Sequence, residues 1–135
     1  MLSENADILS LRDANQRFYD AFGSLDMAQM DAVWEQSDRA LCVHPGWQPI
    51  VGWGDIRRSW QGIFNGAALM HFNIHYVNIA VEGNCGFVTC VESITSVVEG
   101  QAQGFGVLAT NIFVRSGPDS DPRWLCIAHH ASPRL

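Results

Sequence analysis

The second half of the chain leaves little room for anything but long strands. Met70 to Glu82, Cys85 to Val98 and Gln103 to Ser116 are rich in β-branched and aromatic residues. The turn pairs Gly83-Asn84 and Glu99-Gly100 separate them, as hairpin connections require. A loop from Gly117 to Pro122 leads into one more apolar stretch, Trp124 to Pro133. Strands of about a dozen residues are roughly twice the usual length. Gly86, Gly104 and Gly106 offer places where such strands bend. A meander of long bent strands forms a curved sheet, and its concave side must be filled.

The first half supplies the filling. Ile8, Leu11, Phe18 and Phe22, with Ala14 and Tyr19 beside them, recur at helical spacing from about Asp7 to Phe22. Gly23 then stops the helix. Asp26 can cap a second, shorter helix whose apolar face is Met27, Met30, Val33 and Trp34. A short strand from Ala40 to His44 ends at Pro45-Gly46, and a loop runs from Trp47 to Val51. A third helix follows from about Gly52 to Asn65, with Ile56, Trp60, Ile63 and Phe64 on one face. The expected fold is an α+β cone, three N-terminal helices packed in a strongly curved, mostly antiparallel sheet. No repeat, linker or low-complexity tract interrupts this order, so residues 1–135 are read as a single domain.

The last strand carries two adjacent histidines, His129 and His130. Successive strand side chains point to opposite faces, so one imidazole lies on each side of the sheet. Strict alternation groups His130 with Trp124, Cys126 and Ala128, and His129 with Leu125 and Ile127. The first set suits a cavity lining and the second a flat packed surface, so His130 is expected to face inward. The last two strands are apolar on both faces. Leu108, Ile112 and Val114 fall on one side, and Phe105, Val107 and Phe113 on the other. One face meets the helices, and the other calls for a partner, here a homodimer through the outer sheet face.

Composition narrows the function classes. The formal net charge is −6, and all eight basic residues are arginine, a poor basis for holding a phosphate backbone, so nucleic acid is not expected as a partner. No apolar run approaches the ~20 residues of a membrane span. The acidic, polar start of the chain lacks a secretory pattern, so no membrane association and a cytoplasmic location are expected. Cys42, Cys85, Cys90 and Cys126 show no paired metal-ligand spacing and read as small reduced core residues. His71 and His75 would converge on one ion if helical, but on a strand their Cα atoms stand about 13 Å apart, so no metal site is expected.

Three groups are candidate proton carriers. His44 ends the first strand beside a turn, where a pocket mouth would fall. Its imidazole either serves as a general base or binds the turn backbone. Glu92 shares a strand face with Val88, Cys90 and Ile94, so its carboxyl lines the cavity, forms a structural pair with an arginine or histidine, or lies at a strand edge open to water. His130 is the third, by the parity argument above. Asn111 lies mid-strand among apolar neighbours, either orienting a ligand or satisfied by its surroundings. Tyr19, Trp34, Trp47 and Trp60 form either an aromatic pocket wall or plain core.

The order of these pieces resembles the SnoaL-like branch of the nuclear transport factor 2-like superfamily, which includes ketosteroid isomerases and polyketide cyclases. The matching segments are Phe18-Tyr19-Asp20-Ala21-Phe22, His44-Pro45-Gly46-Trp47, and Gly52 with Ile56, Ser59-Trp60 and Ile63. Ala109 to Arg115, and Trp124 with the His-His-Ala-Ser-Pro ending, complete the set. The resemblance implies a cone with an internal pocket and a homodimer formed through the outer sheet. Isomerases of this superfamily use an aspartate base near the first strand, with a tyrosine and a protonated acid as donors. Here that strand carries Leu41, Cys42, Val43 and His44 and no carboxylate, and Tyr19 matches the tyrosine by region only. The related epoxide hydrolases' Asp-Arg-Asp set is not found either. The expected function is therefore a pocket for a small, mostly apolar molecule. Acid–base chemistry of isomerase, cyclase or dehydratase type, without a cofactor, would suit it. The alternative is a non-catalytic ligand-binding or association module, as in the assembly domain of calcium/calmodulin-dependent kinases.

Overall fold

The computed structural model describes residues 2–118 and 123–134, so positions 119–122 of the loop expected before the last strand lie outside the described residues. Among the described residues three helices and six strands follow one another as α1 (Leu2–Ser24), α2 (Met27–Val33), β1 (Leu41–Val43), β2 (Ile50–Val51), α3 (Trp53–Asn65), β3 (Leu69–Glu82), β4 (Cys85–Val98), β5 (Gln101–Ser116) and β6 (Arg123–Pro133). The α+β expectation holds. The Asp26 carboxylate accepts from the Ala28 amide at 2.9 Å and so starts α2. The short β2 was not expected; it pairs antiparallel with β1 through Leu41–Val51 and Cys42–Ile50.

The sheet runs β2-β1-β6-β5-β4-β3. All pairs are antiparallel except β1 with β6, which run parallel and set Cys42 beside His129 and Val43 beside His130. The helices cover one face. Leu11, Ala14, Phe18 and Tyr19 from α1 and Ile56 and Trp60 from α3 meet Val88, Val107 and Phe113 there. Helix α1 passes so close to β4 that a Cβ at Gly86 would lie 2.4 Å from the Leu11 side chain, which accounts for glycine at that place. Cys42, Cys90 and Cys126 are buried as expected, whereas Cys85 is exposed because it begins β4 at a turn.

Two β-bulges bend the sheet, one between His75 and Asn78 in β3 and one in β6. In β6 Ile112 pairs with Ala128 and Phe113 with Cys126, leaving Ile127 as the extra residue. This bulge corrects the parity expectation. Trp124 and Cys126 face inward as expected, but the inserted residue shifts the phase, and beyond it His129 and Ala131 are buried while His130 is exposed. Its cause is a change of neighbour. The Cys126 carbonyl accepts from the Glu35 amide at 2.9 Å, and from Ala128 onward β6 pairs with β1 instead. His130 therefore stands on the outer sheet, near Tyr76, Thr110 and Leu108.

Candidate functional site

Between the helices and the inner sheet face lies a cavity of about 220 Å³. Its walls are mostly apolar, with Phe22, Ile63, Met70 and Ile94 inside and the half-exposed Trp47 and Phe105 at its mouth. Three polar side chains reach it: His44 from the end of β1, Glu92 from the middle of β4 and His129 from β6. A cavity of ~150 Å³ already accepts a benzene-sized guest, so this one is large enough for a small organic molecule.

A buried chain of hydrogen bonds holds two of the three. The Tyr19 hydroxyl donates to Glu92 Oε2 in a short contact and lies 3.5 Å from Cys90 Sγ. Asn111 Nδ2 donates to Tyr19 Oη at 3.1 Å and to Asn15 Oδ1 at 2.9 Å. Asn111 Oδ1, an acceptor only, receives the His129 Nδ1 proton at 2.5 Å. The network thereby assigns the Nδ1–H tautomer to His129, with the lone pair on Nε2. His44 takes the other tautomer. Ser59 Oγ donates to the Ile56 carbonyl at 2.6 Å and so accepts from His44 Nε2 at 2.8 Å. The His44 ring packs edge-on against Trp60 and Trp47, with centroids 4.7 and 4.8 Å away.

Electrostatics separate the three groups. Burial pushes the Glu92 carboxyl up to about 7, against the opposing pull of the Tyr19 hydrogen bond, so it exchanges protons near neutral pH. Tyr19 is held well above its ordinary value, first by burial and then by the Glu92 charge, and stays a donor. Burial pushes His44 down to about 4. It takes His129 down to about 3, helped by the nearness of His44 and His130. Both imidazoles are neutral at pH 7. One carboxyl that titrates and two imidazoles that do not is a division of labour set by environment alone.

Of the sequence-derived candidates, His44, Glu92 and Trp47 therefore meet at the cavity. His130 does not, and His129 takes the place expected of it. Tyr19 and Asn111 stand behind the cavity wall and hold its polar groups. Trp34 and Trp60 are fully buried core, packed on Phe18 at 6.2 and 5.9 Å, because the apolar faces of α2 and α3 turn toward α1. Asn15 was not anticipated. The signal was there in α1, a polar residue four positions before Tyr19 and four after Leu11 on the apolar face. Among the described residues no group of three or more potential ligand side chains is placed to hold a metal.

A family model described as a SnoaL-like domain matches residues 11–135. Among solved structures, a proposed dehydratase of the nuclear transport factor 2-like family from Streptomyces avermitilis is 34% identical, with a TM-score of 0.88, over 97% of this chain and 98% of that one. A proposed calcium/calmodulin-dependent protein kinase type II association domain from Thiobacillus denitrificans is 26% identical, with a TM-score of 0.78, over 90% of this chain and 93% of that one. The F-box protein SKIP8 of Arabidopsis thaliana is 25% identical over 121 residues, 90% of this chain. The chain spans about half, 48%, of that curated relative's length.

Proposed function

Because this chain belongs to the SnoaL-like family, we propose that its inner cavity binds a small, mostly apolar molecule and transforms it by acid–base chemistry in which Glu92 carries the proton. The observation that supports this most is a buried carboxyl on the wall of an apolar cavity, hydrogen-bonded by Tyr19 and poised near neutrality. Such a group is both base and acid at working pH. As carboxylate it removes a proton from carbon next to a carbonyl, and as carboxylic acid it returns that proton. Return to a second carbon gives an isomerisation. Return to a departing hydroxyl, as the C–O bond breaks and water leaves, gives a dehydration. In both cases Glu92 ends ionised, as it began, and no cofactor is required. The neutral imidazoles of His44 and His129 already donate their N–H protons to Ser59 and Asn111, so their remaining acceptor nitrogens would bind a substrate hydroxyl.

The test is proton exchange. A panel of small cyclic and straight-chain ketones is incubated with the protein in heavy water, and deuterium entry at the α-carbon is followed by NMR. Exchange above the buffer rate is expected, with a loss of ~10²-fold or more in Glu92→Gln. Exchange that survives this substitution, or none above buffer with any ketone, would end the catalytic reading.

A second reading concerns the opposite face. Tyr76, Phe87 and Leu108 leave an apolar outer sheet, and the likeness to an association domain points the same way. A homodimer formed there would cover these side chains without touching the cavity, so assembly and catalysis are compatible. Light-scattering mass in solution tests it directly; a monomer at micromolar concentration would rule it out.

A further inference from the structure

The cavity is not a closed chamber. Its lining residues Trp47, Ile63 and Met70 also line an adjoining apolar groove of about 420 Å³, whose other walls include Gly62, Gly66 and Val98. The last turn of α3, the start of β3 and the end of β4 form this groove. Glu92, Ile94, Ser96 and Val98 alternate along β4 on the inner face, a continuous track from the carboxyl to the far end of the groove. At ~3.3 Å per residue that track is roughly 20 Å long. Among the described residues that line the groove beyond the cavity, Ser96 is the polar one.

Two further features show a groove kept open. Gly62 sits inside α3, where glycine is a poor helix former, and a Cβ built there meets nothing within 4 Å. Trp47 and Val98 leave 49% and 40% of their surfaces exposed along it, which folding alone does not require. The groove is separate from the outer sheet carrying Tyr76, Phe87 and Leu108, so pairing through that sheet would leave it uncovered.

We infer that the substrate is an elongated amphiphile, its oxygen-bearing end beside Glu92 and an unbranched apolar tail leaving the cavity past Trp47, Ile63 and Met70 to lie in the groove as far as Val98. This rests on the cavity reading above and adds the class of molecule. The tail contributes by burying apolar surface, and a fully buried methylene is worth about fourfold in affinity.

The probes are straight-chain methyl ketones from hexanone to octadecanone, whose extended tail matches the track, titrated by calorimetry into the wild type, Gly62→Trp and Val98→Asp. In the wild type, Kd is expected to fall by up to about fourfold per added carbon and level off once the tail reaches Val98. Gly62→Trp fills the groove from an open position. It is expected to leave hexanone binding unchanged and abolish the gain with length. Val98→Asp is expected to weaken only the longest ketones. The inference is overturned if affinity stops rising once the cavity is full, or if Gly62→Trp binds every ketone as the wild type does. It is equally overturned if Gly62→Trp alters the mass of the particle and not ketone affinity, since the groove would then be a contact between copies. Failure of hexanone itself to bind overturns the cavity reading and this inference with it.

Discussion

Replacing Glu92 with glutamine is expected to change how stability depends on pH more than it changes stability itself. The carboxyl ordinarily titrates near 4.5, and burial raises it to about 7 in the folded chain. Between those values the folded protein holds a proton that the unfolded chain releases, so this group's contribution to stability is full below about pH 4.5 and is lost as pH rises through 7. At ~1.36 kcal/mol per pH unit the loss amounts to about 3 kcal/mol. His44 and His129 act in the opposite sense. Folded, they stay neutral down to about 4 and 3; unfolded, they bind protons near 6.5. Their contribution is present above 6.5 and is lost as pH falls. Both proteins keep both imidazoles, so subtracting the variant's profile from the wild type's leaves the Glu92 effect. The assay is urea unfolding at intervals from about pH 4.5 to about pH 8, with a common slope m as the check that the transition itself is unaltered. Glu92→Gln is expected to gain about 3 kcal/mol on the wild type across that range. Profiles that run parallel would refute the reasoning, because Glu92 would then ionise as freely as in the unfolded chain.

Three further outcomes follow from the same geometry. Asn111→Ala orphans the buried His129 Nδ1–H and Asn15 Oδ1 and removes the donor to Tyr19 Oη, and a loss of about 3 kcal/mol or more is expected in chemical denaturation. A loss under about 1 kcal/mol would mean that the network is replaced by water. His130→Gln is expected to leave ketone binding and deuterium exchange within about twofold of the wild type, because the side chain faces the outer sheet; a tenfold loss would contradict its placement. Leu108→Arg puts a charge into the apolar outer face and is expected to shift the light-scattering mass to that of a monomer, while an unchanged oligomer would place the interface elsewhere.

The periodicities in the sequence were sufficient for the helices and long strands, and the parity of β4 put Glu92 on one face with Val88, Cys90 and Ile94, which the structure shows to be the inner face. The same parity failed in β6. A bulge inserts one residue without altering composition, and its cause, the hand-over of β6 from Glu35 to β1, is a tertiary hydrogen bond that no local pattern carries. The aromatic residues stayed open between pocket wall and core for a related reason. Trp34, Trp47 and Trp60 are alike in sequence, and only the packing of three helices decides that two are core and one stands at the mouth. Asn111 was legible as a buried amide but not as the link between His129 and Tyr19, since its partners lie 18 and 92 positions away.

The most direct test of the central claim is the protonation of Glu92 in the folded protein. Carboxyl-carbon NMR of glutamate-labelled protein, with Glu92→Gln to assign the resonance, follows the group through a pH titration. A midpoint near 7, moving upward in Tyr19→Phe as the hydrogen bond to the carboxylate is lost, is the expected result. A midpoint at the ordinary 4.5, indifferent to Tyr19, would contradict a proton carrier at this site.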